Sequence, residues 1–301
     1  MRRHQRGAAL LIAVALLGLL AIATLARALS APADNAAQLA TERALARASD
    51  ALAAYGALGN VAGNHNNSPG ALPCPDIDGN DGESDFSCSG HIGRLPWKTL
   101  GMGPLLDGAG ECLWYARSPT FSNNIQTSQR GSSADKPPLN PATPGGVTEV
   151  SAFGPTGARV AAVIIAPGRA LSGQVRSGGL GNPGCRDGSI EQFIESATID
   201  GVTYSHVAGS HAITTAASGE FNDSVLTLST SRLFASAGAR VLGDISLTID
   251  GTPAHEWWAN NLWCGHVCAS GGAGVIVLAD GSRVMRTLPV LPACAGVCSG
   301  S

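Results

Sequence analysis

"RGAALLIAVALLGLLAIATLARAL", Arg6 to Leu29, decides how the rest of the chain is read. From Ala8 to Ala26 it carries no charge, and only Gly18 and Thr24 interrupt an aliphatic run that Leu29 extends past Arg27. At 1.5 Å of rise per residue, a helix over 8–29 reaches about 33 Å, enough for a transmembrane helix assigned to 8–30 to cross the ~30 Å hydrocarbon core of a bilayer. Arg2, Arg3, His4 and Arg6 precede it without an acid. Such an excess of basic residues keeps that end in the cytoplasm and sends the rest of the chain outside the inner membrane.

A secretory signal peptide competes for the same residues, because Ala28-Leu29-Ser30 before Ala31 has the small-residue grammar of a cleavage site. Two features oppose it. The apolar run exceeds the ~7–15 residues of an ordinary signal core, and the chain beyond it keeps reading as helix. Pro32 can kink that helix without ending it. Over 33–58, most of the amphipathic part expected at 31–58, the only breaker is Gly56, alanine is abundant, and Leu39, Leu45, Leu52 and Tyr55 recur near one helical face. Glu42, Arg43, Arg47 and Asp50 take the other faces. One long helix is expected, apolar in its first half and amphipathic in its second.

A short basic leader (1–7) ending in Gly7, followed by an apolar helix that runs into an amphipathic one, resembles the class III leader of type IV pilins and type II secretion pseudopilins. The resemblance implies cleavage by a prepilin peptidase between Gly7 and Ala8, and a helix that holds the subunit in the membrane until an inner-membrane assembly platform moves it into a filament. Mature pilins usually begin with Phe or Met and carry Glu at the fifth position. This chain would begin with Ala8 and has Ile12 there. An intramembrane carboxylate is costly and is normally kept for a partner, so its absence points to a minor subunit, at or near a tip, rather than to a repeating one. Ala9, Ala13, Gly18 and Ala21 offer the small-residue surface by which such helices approach other pilin or pseudopilin subunits.

The part after the helix, 59–301, is long enough at ~240 residues for one large or two small packed domains. Gly 39, Pro 17 and only 14% charged residues favour a loop-rich body containing β-structure over a helical bundle. A net charge of −3 without a basic stripe argues against nucleic-acid binding. All eight cysteines (Cys74, Cys88, Cys112, Cys185, Cys264, Cys268, Cys294, Cys298) follow the apolar segment, the distribution of disulfides formed in an oxidising compartment. Cys74 and Cys88 bracket a short polar loop and are expected to pair; the remaining connectivity is open.

The stretch "LPCPDIDGNDGESDFSCSGHIGRLPWKTLGMGPLLDGAGECLWYARSPTF" resembles a motif of large prepilin-like proteins: an LPCPD, a second cysteine, GRLPW, then an aromatic-rich LWYA strand. "VAAVIIAPGRALSGQ" and "NDSVLTLSTSRLF" continue the pattern. Read residue by residue, Pro73 and Pro75 force an extended path around Cys74, Trp97 is expected as a core plug, and "ECLWYARS" has strand-forming residues. "ARVAAVIIAPG" is a continuous apolar run ended by Pro-Gly, as in a buried central strand, and "SVLTLST" alternates as a half-buried one does. Ser231 to Leu242 reads as a helix. "GVIVLADGSRVMRTL" reads as a hairpin turning at Asp280-Gly281. The expected fold class is α+β, with the long N-terminal helix laid on an antiparallel sheet in a disulfide-stapled, pilin-like exported domain.

Three groups of residues are candidates for chemistry. "DIDGNDGESD" sets Asp76, Asp78, Asn80, Asp81 and Asp85 on a Gly-rich loop, the oxygen donors Ca²⁺ uses. Asp81 stands where an EF-hand needs Gly, and an acidic solvated turn is the competing reading. "CGHVC" (Cys264 to Cys268) and "CAGVC" (Cys294 to Cys298), with His266, have spacing open to zinc, against disulfides that staple the tail. Trp257, Trp258 and Trp263 suit either an interface patch or a core cluster. His206, His211 and the pair His255-Glu256 read as ordinary polar positions. No G-x-S-x-G, H-E-x-x-H or P-loop is present, so the expected protein is not an enzyme but an assembly subunit. An exported or membrane-anchored surface-binding protein with an ordinary signal is the alternative.

Overall fold

The structure is a computed structural model and describes residues 4–58, 68–77, 81–85, 90–121, 138–145, 159–177, 185–194, 196–199, 202–205, 222–245, 248–249, 252–253, 258, 261–288 and 296–298. Helix α1 runs unbroken from His4 to Leu58, 55 residues and about 82 Å long at the rise of an α-helix. It passes through Pro32, which costs one backbone hydrogen bond. The amphipathic pattern is realised in its last third. Ala44, Leu45, Ala48, Ser49, Leu52, Ala53 and Tyr55 are buried while Glu42, Arg43, Arg47 and Asp50 stay exposed. Leu39, expected on the buried face, is 49% exposed, although loop 107–110 meets α1 close by at Ala37 and Thr41.

Two four-stranded sheets follow. The first contains β1 (Ile92–Arg94), β2 (Trp114–Arg117), β3 (Val160–Ala166) and, after the separate hairpin of β4 (Ser196–Ile199) and β5 (Val202–Ser205), β6 (Ser224–Ser229). Its order is β1-β2-β3-β6, antiparallel throughout. All seven residues of β3 are buried, as the apolar run before Pro167-Gly168 predicts. Strand β6 leads directly into α2 (Thr230–Ile245), whose Leu233, Phe234, Ala237, Val241 and Leu242 are buried. A two-stranded pair, β7 (Thr248–Ile249) and β8 (Thr252–Pro253), precedes the second sheet. That sheet has the order β11-β10-β9-β12, from β9 (Val267–Ser270), β10 (Ala273–Val277), β11 (Arg283–Thr287) and β12 (Gly296–Val297).

The class is therefore α+β with antiparallel sheets, with one departure: β12 pairs with β9 in parallel. The turn of the β10–β11 hairpin falls where expected. Gly281 takes φ +84°, and the Asp280 carboxylate accepts from the Ser282 N–H at 2.9 Å and its hydroxyl at 2.6 Å, an Asx-type turn that Gly makes easy.

One apolar core joins these parts. It contains Ala44 to Ala53 of α1, Tyr115, Ala162 and Ile164 of the first sheet, the inner face of α2, and Val267 and Ile276 of the second sheet. Trp258 and Trp263 belong to it. Trp263 donates its indole N–H to the Leu139 carbonyl at 2.7 Å and meets Phe234 edge-on at 5.8 Å. For these two residues the core reading replaces the interface patch; Trp257 lies outside the described residues. Trp97 is half-buried and outside the apolar core rather than a core plug, and its ring covers Gly82, where any Cβ would stand 2.2 Å from the indole.

Cys112 is bonded to Cys185, with Cα atoms 5.6 Å apart, and Cys268 to Cys298, 4.8 Å apart. The second bridge joins one C-x₃-C motif to the other and fastens β9 to the residue after β12. Cys74 and Cys264 are also disulfide-bonded, and no described cysteine is free. Cys88 and Cys294 lie outside the described residues.

Candidate assembly interface

The body holds α1 at its C-terminal end by several independent contacts. Loop 107–110 comes against the helix at Ala37: a Cβ on Gly108 would lie 2.0 Å from the Ala37 carbonyl oxygen, so only glycine allows this approach. Gly108 N–H then donates to Thr41 Oγ1 at 2.9 Å. Asp107 fixes the loop from the other side. Its carboxylate accepts from the N–H groups of Ala109, Glu111 and Gly168. Further along, the Arg232 guanidinium of α2 pairs with Asp50. The last turn of α1 would leave carbonyls without partners; Gly70 N–H donates to Gly56 O at 2.8 Å and Arg240 Nη1 to Ala57 O at 2.9 Å.

Before Ala37 no described side chain is buried. Every residue there whose side chain is described is exposed, namely 15–19, 22 and 34–36. Leu16, Leu17, Leu19 and Ile22 stand 61–66% exposed. Gly18, one of the four small residues expected at a helix contact, has open space around it; the side chains of Ala9, Ala13 and Ala21 lie outside the described residues. The backbone from His4 to Ala36 is helical and extends about 50 Å from the point of grip. Gly7 and Ala8, the expected processing site, fall in its first turns, and their side chains are likewise not among those described. Among the described residues no helix is long and apolar enough to cross a membrane. Most side chains of the expected span 8–30 lie outside them.

The other sequence candidates occupy the body. Asp76 is buried, exchanges both backbone hydrogen bonds with Arg94, and accepts from Gly82 N–H on Oδ2 at 2.7 Å. Asp81 accepts from Glu83 N–H and lies 3.9 Å from Lys98 Nζ, which also reaches Glu83 at 3.2 Å. Asp85 is buried, with its N–H on the Pro75 carbonyl. Asp78 and Asn80 lie outside the described residues, and among the described ones no three His, Cys, Asp or Glu side chains converge to hold a metal ion. Cys264, Cys268 and Cys298 are oxidised and offer no thiolate to zinc. They line a cavity of about 330 Å³ with His266, Val275, Val277 and Arg283. Burial lowers the His266 pKa. His206, His211, His255 and Glu256 lie outside the described residues.

Sequence reasoning missed a buried ionic cluster. The Arg94 guanidinium sits 4.0 Å from the Phe193 ring and 4.3 Å from that of Trp114, and donates to the Arg186 carbonyl at 2.6 Å. Burial lowers its pKa to about 10, with the Glu111 charge opposing the shift. Glu111 Oε1 pairs with Arg186 at 3.0 Å and Arg176 at 3.3 Å. Glu111 adjoins Cys112 and Arg186 adjoins Cys185, so the disulfide and the ion pair fasten the same two strands of chain. The cluster adjoins the loop that grips α1, where Asp107 N–H donates to the Glu111 carbonyl at 2.8 Å. The one sequence signal was Arg94 itself, a charge between Gly93 and Leu95 in an otherwise apolar motif.

No protein-family model, no curated protein and no solved structure matches the chain.

Proposed function

We propose that this chain is a membrane-anchored, non-catalytic assembly subunit of the pilin or pseudopilin kind, cleaved after Gly7. Its first helical half lies in the inner membrane until it packs among the helices of neighbouring subunits, and its body sits in the periplasm. One observation supports the reading: the body meets a continuous helix from Ala37 onward, and every side chain described before that point is exposed. Fully burying a Leu or Ile side chain is worth roughly 1.5–3 kcal/mol. Leu16, Leu17, Leu19 and Ile22 together forgo up to about 6–12 kcal/mol in water, as much as the whole stability of many domains. A lipid phase or a bundle of like helices removes that cost.

Ile12 in place of the usual carboxylate, together with a large body, favours a minor position such as a tip or a primer over a repeating one. The deciding experiment is the N-terminal residue of the membrane-fraction protein, measured by mass spectrometry in cells with and without prepilin peptidase. The proposal requires Ala8 at the terminus only when the peptidase is active. A terminus at Ala31, or intact Met1 in both strains, would replace it with an exported or anchored binding protein carrying an ordinary signal.

A further inference from the structure

Strand β11 forms one edge of the second sheet, and no other described strand pairs with its outer side. Leu278 N–H bonds the Ser282 carbonyl and Leu288 N–H the Gly272 carbonyl. With the register 276↔284 and 274↔286, Val284 and Arg286 spend their backbone groups on β10. The N–H and C=O of Met285 and Thr287 therefore point away from the sheet. Val284 packs toward the core, whereas Met285 is 60% exposed. An edge of this kind is a template for another strand unless something blocks it. Of the other edges, β1 is three residues and β12 two, and β6 packs against both α1 and α2; β11 packs against α2 as well, on the face that carries Val284 and Arg286.

The charge on β11 selects the occupant. The strand reads Arg-Val-Met-Arg-Thr, without an acid. Pairing of two copies about Met285 would set Arg286 of each on one face, two positions apart, and like charges so placed repel. We propose that β11 is a docking edge for an extended segment of a different polypeptide, added antiparallel, with an acidic residue opposite Arg286, an apolar one opposite Met285 and a second acid opposite Arg283. In the partner this reads, from its N-terminus, acid, apolar, any residue, acid. Main-chain bonds supply the affinity and the alternating side chains the specificity, as in strand addition generally. The inference concerns the body and does not rest on the anchoring of α1.

The test is fluorescence anisotropy of the full chain in detergent micelles with two labelled peptides, one carrying Glu-Ile-Thr-Glu in a Ser/Thr frame, the other Lys-Ile-Thr-Lys. Saturable binding of the first is expected, with the second weaker by roughly tenfold or more. Met285→Pro deletes an outward N–H while leaving the ladder to β10 intact, and should weaken the acidic peptide at least about tenfold at an unchanged melting temperature. Should that variant fail to fold, the double variant Arg283→Glu/Arg286→Glu serves, and should reverse the preference between the peptides. The proposal is overturned by equal affinity for both peptides, by absence of saturable binding to the folded protein, by insensitivity to both variants, or by a concentration-dependent dimer of the chain that Met285→Pro abolishes.

Discussion

The two ends of α1 are made of nearly the same residues and meet opposite fates. Toward the C-terminus, Leu45 and Leu52 alternate with Ala44, Ala48 and Ala53, and all are buried against α2 and the first sheet. Toward the N-terminus, Leu16, Leu17 and Leu19 stand beside Ala15 and Gly18, and all are exposed. What differs is the residues between them. Glu42, Arg43, Arg47 and Asp50 leave the second half a single apolar stripe that one body can cover. The first half is apolar all round, which fits burial in a core or a membrane. A helix of one composition is thus divided by the placement of its charges into an element of the fold and a stretch whose described side chains stay exposed.

The division can be broken most strongly by Leu52→Ala, which removes a fully buried side chain and should cost about 2–5 kcal/mol in chemical denaturation. Leu17→Ala in the same helix should change body stability by less than about 0.5 kcal/mol. Equal losses would mean that the two halves are not distinct. Next comes Gly108→Ala, whose new Cβ meets the Ala37 carbonyl at 2.0 Å. Lifting loop 107–110 should cost about 1–3 kcal/mol, and limited proteolysis should show faster cleavage around Ala37 to Thr41. Asp50→Ala releases the exposed Arg232 and should cost no more than about 1 kcal/mol, less at high salt.

The smallest effect is a pH dependence. Burial lowers the His266 pKa from its ordinary 6.5, so below that value the unfolded chain binds a proton that the folded one resists. Its contribution to stability is complete above pH 6.5 and declines as pH falls. Denaturation profiles between pH 7.5 and 5 should fall less steeply for His266→Gln than for the parent. A parallel pair of profiles would remove this group from the account.

Local signals were the readable part of the fold. The run Val160–Ala166, the alternation of Ser224–Ser229, the helix around Leu233 and the Asp280-Gly281 turn each declare themselves within a dozen residues, because period and turn chemistry are short-range properties. Long-range pairings were not readable. Cys112 meets Cys185 across a separation of 73 residues, and Cys268 meets Cys298 through a parallel strand; spacing favours no such partner over its competitors. The burial of Arg94 depends on Glu111 and Trp114 of one segment meeting Phe193 of another. Likewise the role of Gly108 is visible only when Ala37 is placed against it. The apolar character of 8–30 could be read from the sequence, whereas the point at which the body lets go of the helix could not.

The most direct test of that point is the depth of single sites in a bilayer. An environment-sensitive fluorophore at position 17, and separately at position 39, would be read in lipid nanodiscs containing a chain-attached quencher. Anchoring of the first half alone requires strong quenching and a blue-shifted emission at 17, with a water-like, unquenched signal at 39. Water-like emission at both positions would contradict the account, and so would quenching at both.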